Sequence, residues 1–267
     1  MTARVLSVTN QKGGVGKTTT AINLATALAM AQQHVLLVDM DPQANLTSGV
    51  GLKGASAPGG TVYEALTTDD VQADAFILPT QVNGLSLMPA DRNLTGAEID
   101  LVPLPHRESR LRVIVNALRE HYDYIFIDTP PSLGLLTLNS LVAADAVLIP
   151  LNCEYFALEG LADLVATLRR VRGAFNPGLD IAGVLMTMYD ERTNLGQQVA
   201  ADIRAFFQER VYETVIPRNI RLGEAPSHGV PGVLYDAKSK GAEAYVTLAR
   251  EFLAHEAASR VETVPQG

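Results

Sequence analysis

Between an apolar run, Arg4 to Thr9, and a segment of helical periodicity, Thr18 to about Gln32, lies Lys12-Gly13-Gly14-Val15-Gly16-Lys17-Thr18-Thr19. No other stretch restricts the fold as strongly. Glycines let successive backbone N–H groups turn to one side and form an anion nest. The helix that follows points its positive N-terminal end at the same spot. Lys17 is spaced to reach the β- and γ-phosphates of a nucleotide, and the Thr18 hydroxyl to ligate Mg²⁺. The common pattern G-x-x-x-x-G-K-[ST] is not met. Its first glycine position holds Gln11, and a second lysine, Lys12, precedes the glycines.

A second apolar strand, His34 to Asp39, completes a strand–loop–helix–strand unit, which calls for a parallel sheet. Helical spacing returns over Arg107 to His121, Leu158 to Arg172, Leu195 to Phe207 and Gly241 to about Ala258. Buried-type strands are expected at Tyr122 to Asp128, Ala144 to Leu151 and Ile181 to Met188, with a short one at Thr214 to Ile216. Residues 49–60, rich in Gly, Ala, Ser and Pro, read as a flexible connection, and 217–240 as loop-rich. The expected fold is α/β: a single doubly wound domain over residues 1–258, a mostly parallel sheet flanked by helices, with 259–267 as a loose tail. A chain of 267 residues with 47% hydrophobic content suits one such core. The single cysteine, Cys153, excludes a disulfide framework and a cysteine-held cluster. No apolar run reaches the ~20 residues of a membrane span, so a cytoplasmic location is expected.

Three carboxylates stand where strands end. Asp128 closes the apolar run Tyr124-Ile125-Phe126-Ile127, the arrangement in which a carboxylate holds Mg²⁺ directly or through water. Asp39 and Asp41 follow the second strand, at the end where such sheets present residues to a ligand. Asp39 on its own also fits a cap or turn former.

The segment Asn10 to Thr19 resembles the ParA/MinD class of deviant Walker ATPases. The likeness is greatest to the short, chromosome-type ParA (Soj) proteins. It continues through Val38-Asp39-Met40-Asp41-Pro42-Gln43, Asp128-Thr129-Pro130-Pro131-Ser132, Glu154-Tyr155-Phe156-Ala157-Leu158-Glu159-Gly160, Ile216-Pro217-Arg218-Asn219-Ile220-Arg221 and Glu224-Ala225-Pro226-Ser227-His228-Gly229. Ala44 departs from it, standing where the family often has Gly. The resemblance implies ATP and Mg²⁺ as cofactors, held by residues 12–19 with Pro217 and Asn219 at the adenine and Thr18, Asp39 and Asp128 around the metal. It implies catalytic roles for Lys12, Lys17 and Asp41, with Asp41 orienting the attacking water. Lys12 would cross to the phosphates of a second subunit in a homodimer, and Gly13 would lie where the subunits meet. Residues 129–134 resemble switch II. No residue marks an arginine finger supplied in cis, so slow basal hydrolysis raised by a ParB-like partner is expected.

The formal net charge of −8 argues against a nucleic-acid partner, yet charge is unevenly placed. Residues 216–240 hold Arg218, Arg221, Lys238 and Lys240 against Glu224 and Asp236. The resemblance adds Arg192 and supports Arg221, since matching arginines contribute to DNA binding in similar ATPases. Arg192, Arg218, Arg221, Lys238 and Lys240 form the expected contact set for double-stranded DNA. Phosphate contacts carry no sequence information, so such binding would be non-specific, with nucleoid association as its consequence. Arg169, Arg170 and Arg172 are accounted for by the dipole of a helix end. A MinD-like membrane cycle needs a basic amphipathic C-terminal helix. Residues 241–267 instead carry Glu243, Glu251, Glu256 and Glu262 against Arg250 and Arg260, so no membrane partner is expected. An orphan ATPase that positions a protein cargo would share these motifs.

Overall fold

The computed structural model describes residues 2–154 and 157–262. Tyr155 and Phe156, and residues 263–267 of the expected tail, lie outside the described residues. One seven-stranded sheet organises the chain, from strands β1 (Arg4–Val8), β2 (Val35–Asp39), β3 (Leu78–Pro79), β4 (Leu85–Met88), β5 (Tyr124–Asp128), β6 (Ala146–Asn152) and β7 (Asp180–Thr187), in the order β3-β4-β2-β5-β1-β6-β7. All pairings are parallel except the edge pair β3–β4.

Helices cover both faces. They are α1 (Lys17–Met30), α2 (Asn45–Gly49), α3 (Val62–Thr67), α4 (Leu94–Asp100), α5 (Arg110–Leu118), α6 (Leu135–Ala143), α7 (Ala157–Ala174), α8 (Asn194–Phe207), α9 (Ile220–Glu224), α10 (Gly232–Tyr235) and α11 (Lys240–Glu262). Alternation along each strand divides the core in two. Ile125 and Ile127 face one layer with α3 to α8, while Tyr124 and Phe126 face the other with α1, α2, α10 and α11. The strands are apolar on both faces because helices shield both. Phe252 of α11 packs its ring edge-on to Tyr124, centroids 5.2 Å apart, and lies 5.9 Å from Phe126.

Two differences from the sequence expectation have physical causes. Thr214 to Ile216 forms no strand; residues 211–217 meet β7 and the turn after it through isolated bonds and two single bridges. The bonds run from Tyr212 N–H to the Val184 carbonyl, Ile216 N–H to the Met186 carbonyl and Tyr189 N–H to the Ile216 carbonyl, and the bridges are Val184 to Val211 and Tyr189 to Pro217. The carboxylate of Glu251 takes the backbone N–H groups of Glu213 and Thr214, at 2.7 and 3.0 Å, which interrupts any continuous ladder. The last helix runs to Glu262, past the expected end near Ala258. Residues 61–105, without a clear period, build α3, β3, β4 and α4. The capping box at Thr61 and Glu64 starts α3.

Candidate nucleotide site

The carboxyl ends of β1, β2 and β5 lie side by side, with Val8 and Asp39 both in register with Asp128. The loop leaving β1 turns into α1 through Gly14 and Gly16, at φ 72° and 87°. A side chain at either would be strained by conformation alone. Gly16 caps α1 without any side-chain bond to the first turn, so the helix's leading N–H groups face the loop. Thr187, at the end of β7, donates its hydroxyl to the Val15 carbonyl at 2.8 Å and lies against Gly16.

Above this loop opens a cavity of about 650 Å³, within the range of small-molecule sites. Its floor is Gly13, Gly14, Gly16, Lys17, Thr18 and Thr19; Asp41, Gln43 and Pro131 stand at one side. The far end is made by Met188, Ile216, Pro217, Asn219, Leu222 and Tyr245. Asn219 spends its side-chain oxygen on capping α9, accepting from the N–H groups of Arg221 and Leu222. Tyr245 reaches from α11 to the Thr20 hydroxyl at 3.1 Å. Every phosphate-loop residue of the sequence expectation thus meets Asp41, Pro217 and Asn219 around one space, except Lys12 and Val15. Val15 is buried. Lys12 points away and pairs with Glu154 at 2.8 Å in a solvent-accessible position.

The charged groups at the floor are desolvated. Lys17 is only 7% exposed and donates to the Lys12 carbonyl at 3.3 Å. Burial lowers its pKa from the ordinary lysine value, opposed by Asp128 and Asp41. Asp128 is fully buried; burial and the nearby Asp39 push its carboxyl well above the usual range, against the pull of Thr18 and Lys17. Burial also raises Asp39, to about 6. Thr18 donates its hydroxyl to Asp128 Oδ2 at 2.7 Å, and Asp128 Oδ1 has no hydrogen-bond partner. A buried carboxylate oxygen without a donor, beside a threonine hydroxyl and an open phosphate cradle, fits Mg²⁺. No group of three or more His, Cys, Asp or Glu among the described residues could hold a metal unaided. Mg²⁺ commonly needs no more than one or two carboxylates besides phosphate oxygens and water. Asp39 differs: its oxygens accept from Thr47 and from the Asp41 N–H.

The basic residues expected at DNA gather near the far end. The Tyr189–Pro217 bridge sets 190–192 beside 218–221, and Lys240 begins α11 next to Gly241, which abuts Leu222 and Asn219. Arg192, Arg218, Arg221, Lys238 and Lys240 are all exposed, and Arg218 also lines the cavity. Arg192 pairs with Asp190 at 2.7 Å, and Arg221 with Glu224 and Asp236 at 2.9 and 3.4 Å. Thr187, Met188 and Tyr245 escaped the sequence reading. They enter the site from residues more than 160 positions beyond the glycine loop, and no local pattern marks them.

A family model described as an AAA domain matches residues 3–181. The chromosome partitioning protein ParA of Myxococcus xanthus is 53% identical over 94% of this chain and 88% of its own length. The sporulation initiation inhibitor protein Soj of Bacillus subtilis is also 53% identical, over 94% of this chain and 99% of its own. A solved structure from Mycobacterium smegmatis, described as cobyrinic acid a,c-diamide synthase with bound ADP and magnesium, superposes with a TM-score of 0.83. It is 38% identical and covers 96% of both chains.

Proposed function

This chain belongs to the ParA/Soj family of chromosome-partitioning ATPases, and from that premise we propose that it is a dimerising switch. It binds DNA without sequence preference in its ATP state, hydrolyses ATP slowly, and is stimulated by a ParB-like partner to segregate DNA. The observation that supports this most directly is the divergence of two lysines from one loop. Lys17 lines the cavity, whereas Lys12, five residues earlier, faces outward to Glu154. A lysine turned away from its own nucleotide is available to the phosphates of another subunit.

In this reading Thr18 and Asp128 would hold Mg²⁺, which would supply charge neutralisation for the nucleotide's phosphates. Lys17 binds the same phosphates from within. Asp41 orients the attacking water, and the backbone around Pro217 and Asn219 holds the base. Lys12 leaves Glu154 when the dimer closes. Arg192, Arg218, Arg221, Lys238 and Lys240 meet DNA phosphates, doubled in number by dimerisation. The buried Tyr245, Leu248 and Phe252 commit one face of α11 to the core, which argues against its use on a membrane. The partitioning relatives are more similar in sequence than the synthase, 53% against 38%, and this favours DNA segregation over synthase chemistry.

Static light scattering with Mg²⁺ and a non-hydrolysable ATP analogue tests the switch. The mass should double, and DNA should be retained with ATP but not with ADP. An unchanged monomer at saturation removes the proposal. Gly13→Val should bind ATP yet stay monomeric. A Cβ there meets nothing nearer than Pro131 Cβ at 4.0 Å, so the first carbon of the side chain finds room within its own subunit.

A further inference from the structure

The turn carrying Asp41 is wrapped around a carboxylate that does not face the cavity. Asp39 ends β2 completely buried. Its Oδ1 accepts from the Asp41 N–H at 3.2 Å, and its Oδ2 from the N–H and the hydroxyl of Thr47, at 2.9 and 2.7 Å. Thr47 lies one turn into α2 and is itself completely buried. Its hydroxyl oxygen accepts from the Ala90 N–H at 3.0 Å, just past β4. One hydroxyl therefore ties together the end of β2, helix α2 and the segment after β4, as donor to the first and acceptor from the last.

The turn itself is tight. Ala44 N–H donates to the Asp41 carbonyl at 2.8 Å, and Gln43 N–H to the Asp41 carboxylate at 2.9 Å. Ala44 is held at φ 51°, in the left-handed region. With both ends anchored, Asp41, Gln43 and Asn45 line the cavity. The anchor at the rear is Thr47 acting on Asp39. Valine has the same shape but neither donates nor accepts, so it would leave Asp39 short of a donor and the Ala90 N–H without an acceptor.

We propose that Thr47 is a positioning residue for ATP hydrolysis. Its hydroxyl, oriented by the Ala90 N–H, holds Asp39, and Asp39 fixes the turn that aims the Asp41 carboxylate at the γ-phosphate end of the cavity. Asp39 works from behind the turn and does not touch the substrate. The inference rests on the ATPase reading above, in which Asp41 orients the water. Small displacements of an orienting group slow a reaction steeply while leaving ground-state binding intact.

The test is steady-state hydrolysis of Mg·ATP by the full chain in the presence of DNA, comparing Thr47→Val, Thr47→Ser and Asp41→Asn. Thr47→Val should lower kcat about ten-fold, with KM changed less than about two-fold. Thr47→Ser, which keeps the hydroxyl, should return most of the rate. Parental kcat in Thr47→Val overturns the proposal, as does a serine variant as slow as the valine. A KM that rises in step with the loss of kcat overturns it too, since that marks general damage to the pocket. Should Thr47→Val fail to fold, Thr47→Cys offers a weaker donor of similar size and should be slower than the serine variant. A cysteine variant at parental rate sinks the idea. Failure of the wider reading looks different. A wild-type chain that stays monomeric with ATP refutes the switch, and an Asp41→Asn variant at parental rate refutes the role of Asp41.

Discussion

Asp39 and Asp128 are carboxylates that folding removes from water, and this gives the metal-free protein an inverted response to acid. Between its unfolded value near 4 and its folded value of about 6, Asp39 binds a proton in the folded chain that the unfolded chain releases. Stability in that window therefore falls as pH rises, and the whole span for this one residue is roughly 3 kcal/mol. Asp128 acts in the same direction. Carboxylates held low by partners, such as Asp180 and Asp190, lose their contribution only in stronger acid. The urea midpoint of metal-free protein should accordingly be higher at pH 5 than at pH 7. Asp128→Asn should raise the midpoint at pH 7 and flatten the trend, while abolishing Mg²⁺-dependent nucleotide binding. A midpoint that falls steadily from pH 7 to pH 5 would remove this account. That Asp128 and Thr18 stand at one site was legible in sequence because each belongs to a short pattern, and the two are joined by a hydrogen bond. The hold of Thr47 on Asp39 was not, since a threonine eight residues past an aspartate signals nothing until α2 folds back.

At the scale of elements, β7 and α11 show how packing sets positions that periodicity leaves open. Gly183 in β7 lies under the ring of Tyr212, and a Cβ added there would come within 2.3 Å of Tyr212 Cε2. Tyr212 is buried and stacks on His255 of α11, 5.4 Å between centroids, so the ring has little room to yield. Gly183→Ala should cost about 1–3 kcal/mol in a urea titration and loosen the junction of β7 with α11. Nucleotide affinity should drop less than stability, because the cavity takes only Tyr245 from α11. A stability equal to the parent's would show that the ring moves freely. β1, β2 and β5 announced themselves as short apolar runs ending at the glycine loop or at an aspartate. β3 and β4 did not, being short and lying where turn residues blur any period.

For the whole molecule, the outstanding physical fact is an acidic chain with a basic end. Net charge is −8, yet five exposed cations stand near the mouth of the nucleotide cavity. If they meet DNA as proposed, binding must fall steeply with salt, since each neutralised phosphate adds about −0.9 to the slope of log K against log [salt]. Arg221→Ala should reduce that slope by about 2 in a dimer, one contact per subunit. Fluorescence anisotropy with a random-sequence duplex at several salt concentrations measures it. An unaltered slope would assign Arg221 to its pairs with Glu224 and Asp236 alone.

The order of the residues alone determined that this chain begins with a phosphate loop on a parallel sheet, and that Lys17, Thr18 and Asp128 stand together. Each belongs to a short local pattern at the end of a strand, although Asp128 lies 110 residues from Thr18, and a strand–loop–helix turn leaves a backbone few other ways to run. Tertiary structure decided the rest: which lysine faces the cavity, how β7 and α11 close its far end, and which buried hydroxyl holds the turn of Asp41. Those contacts join residues from eight to 225 apart, and none is marked by a sequence pattern until the sheet and its helices have packed.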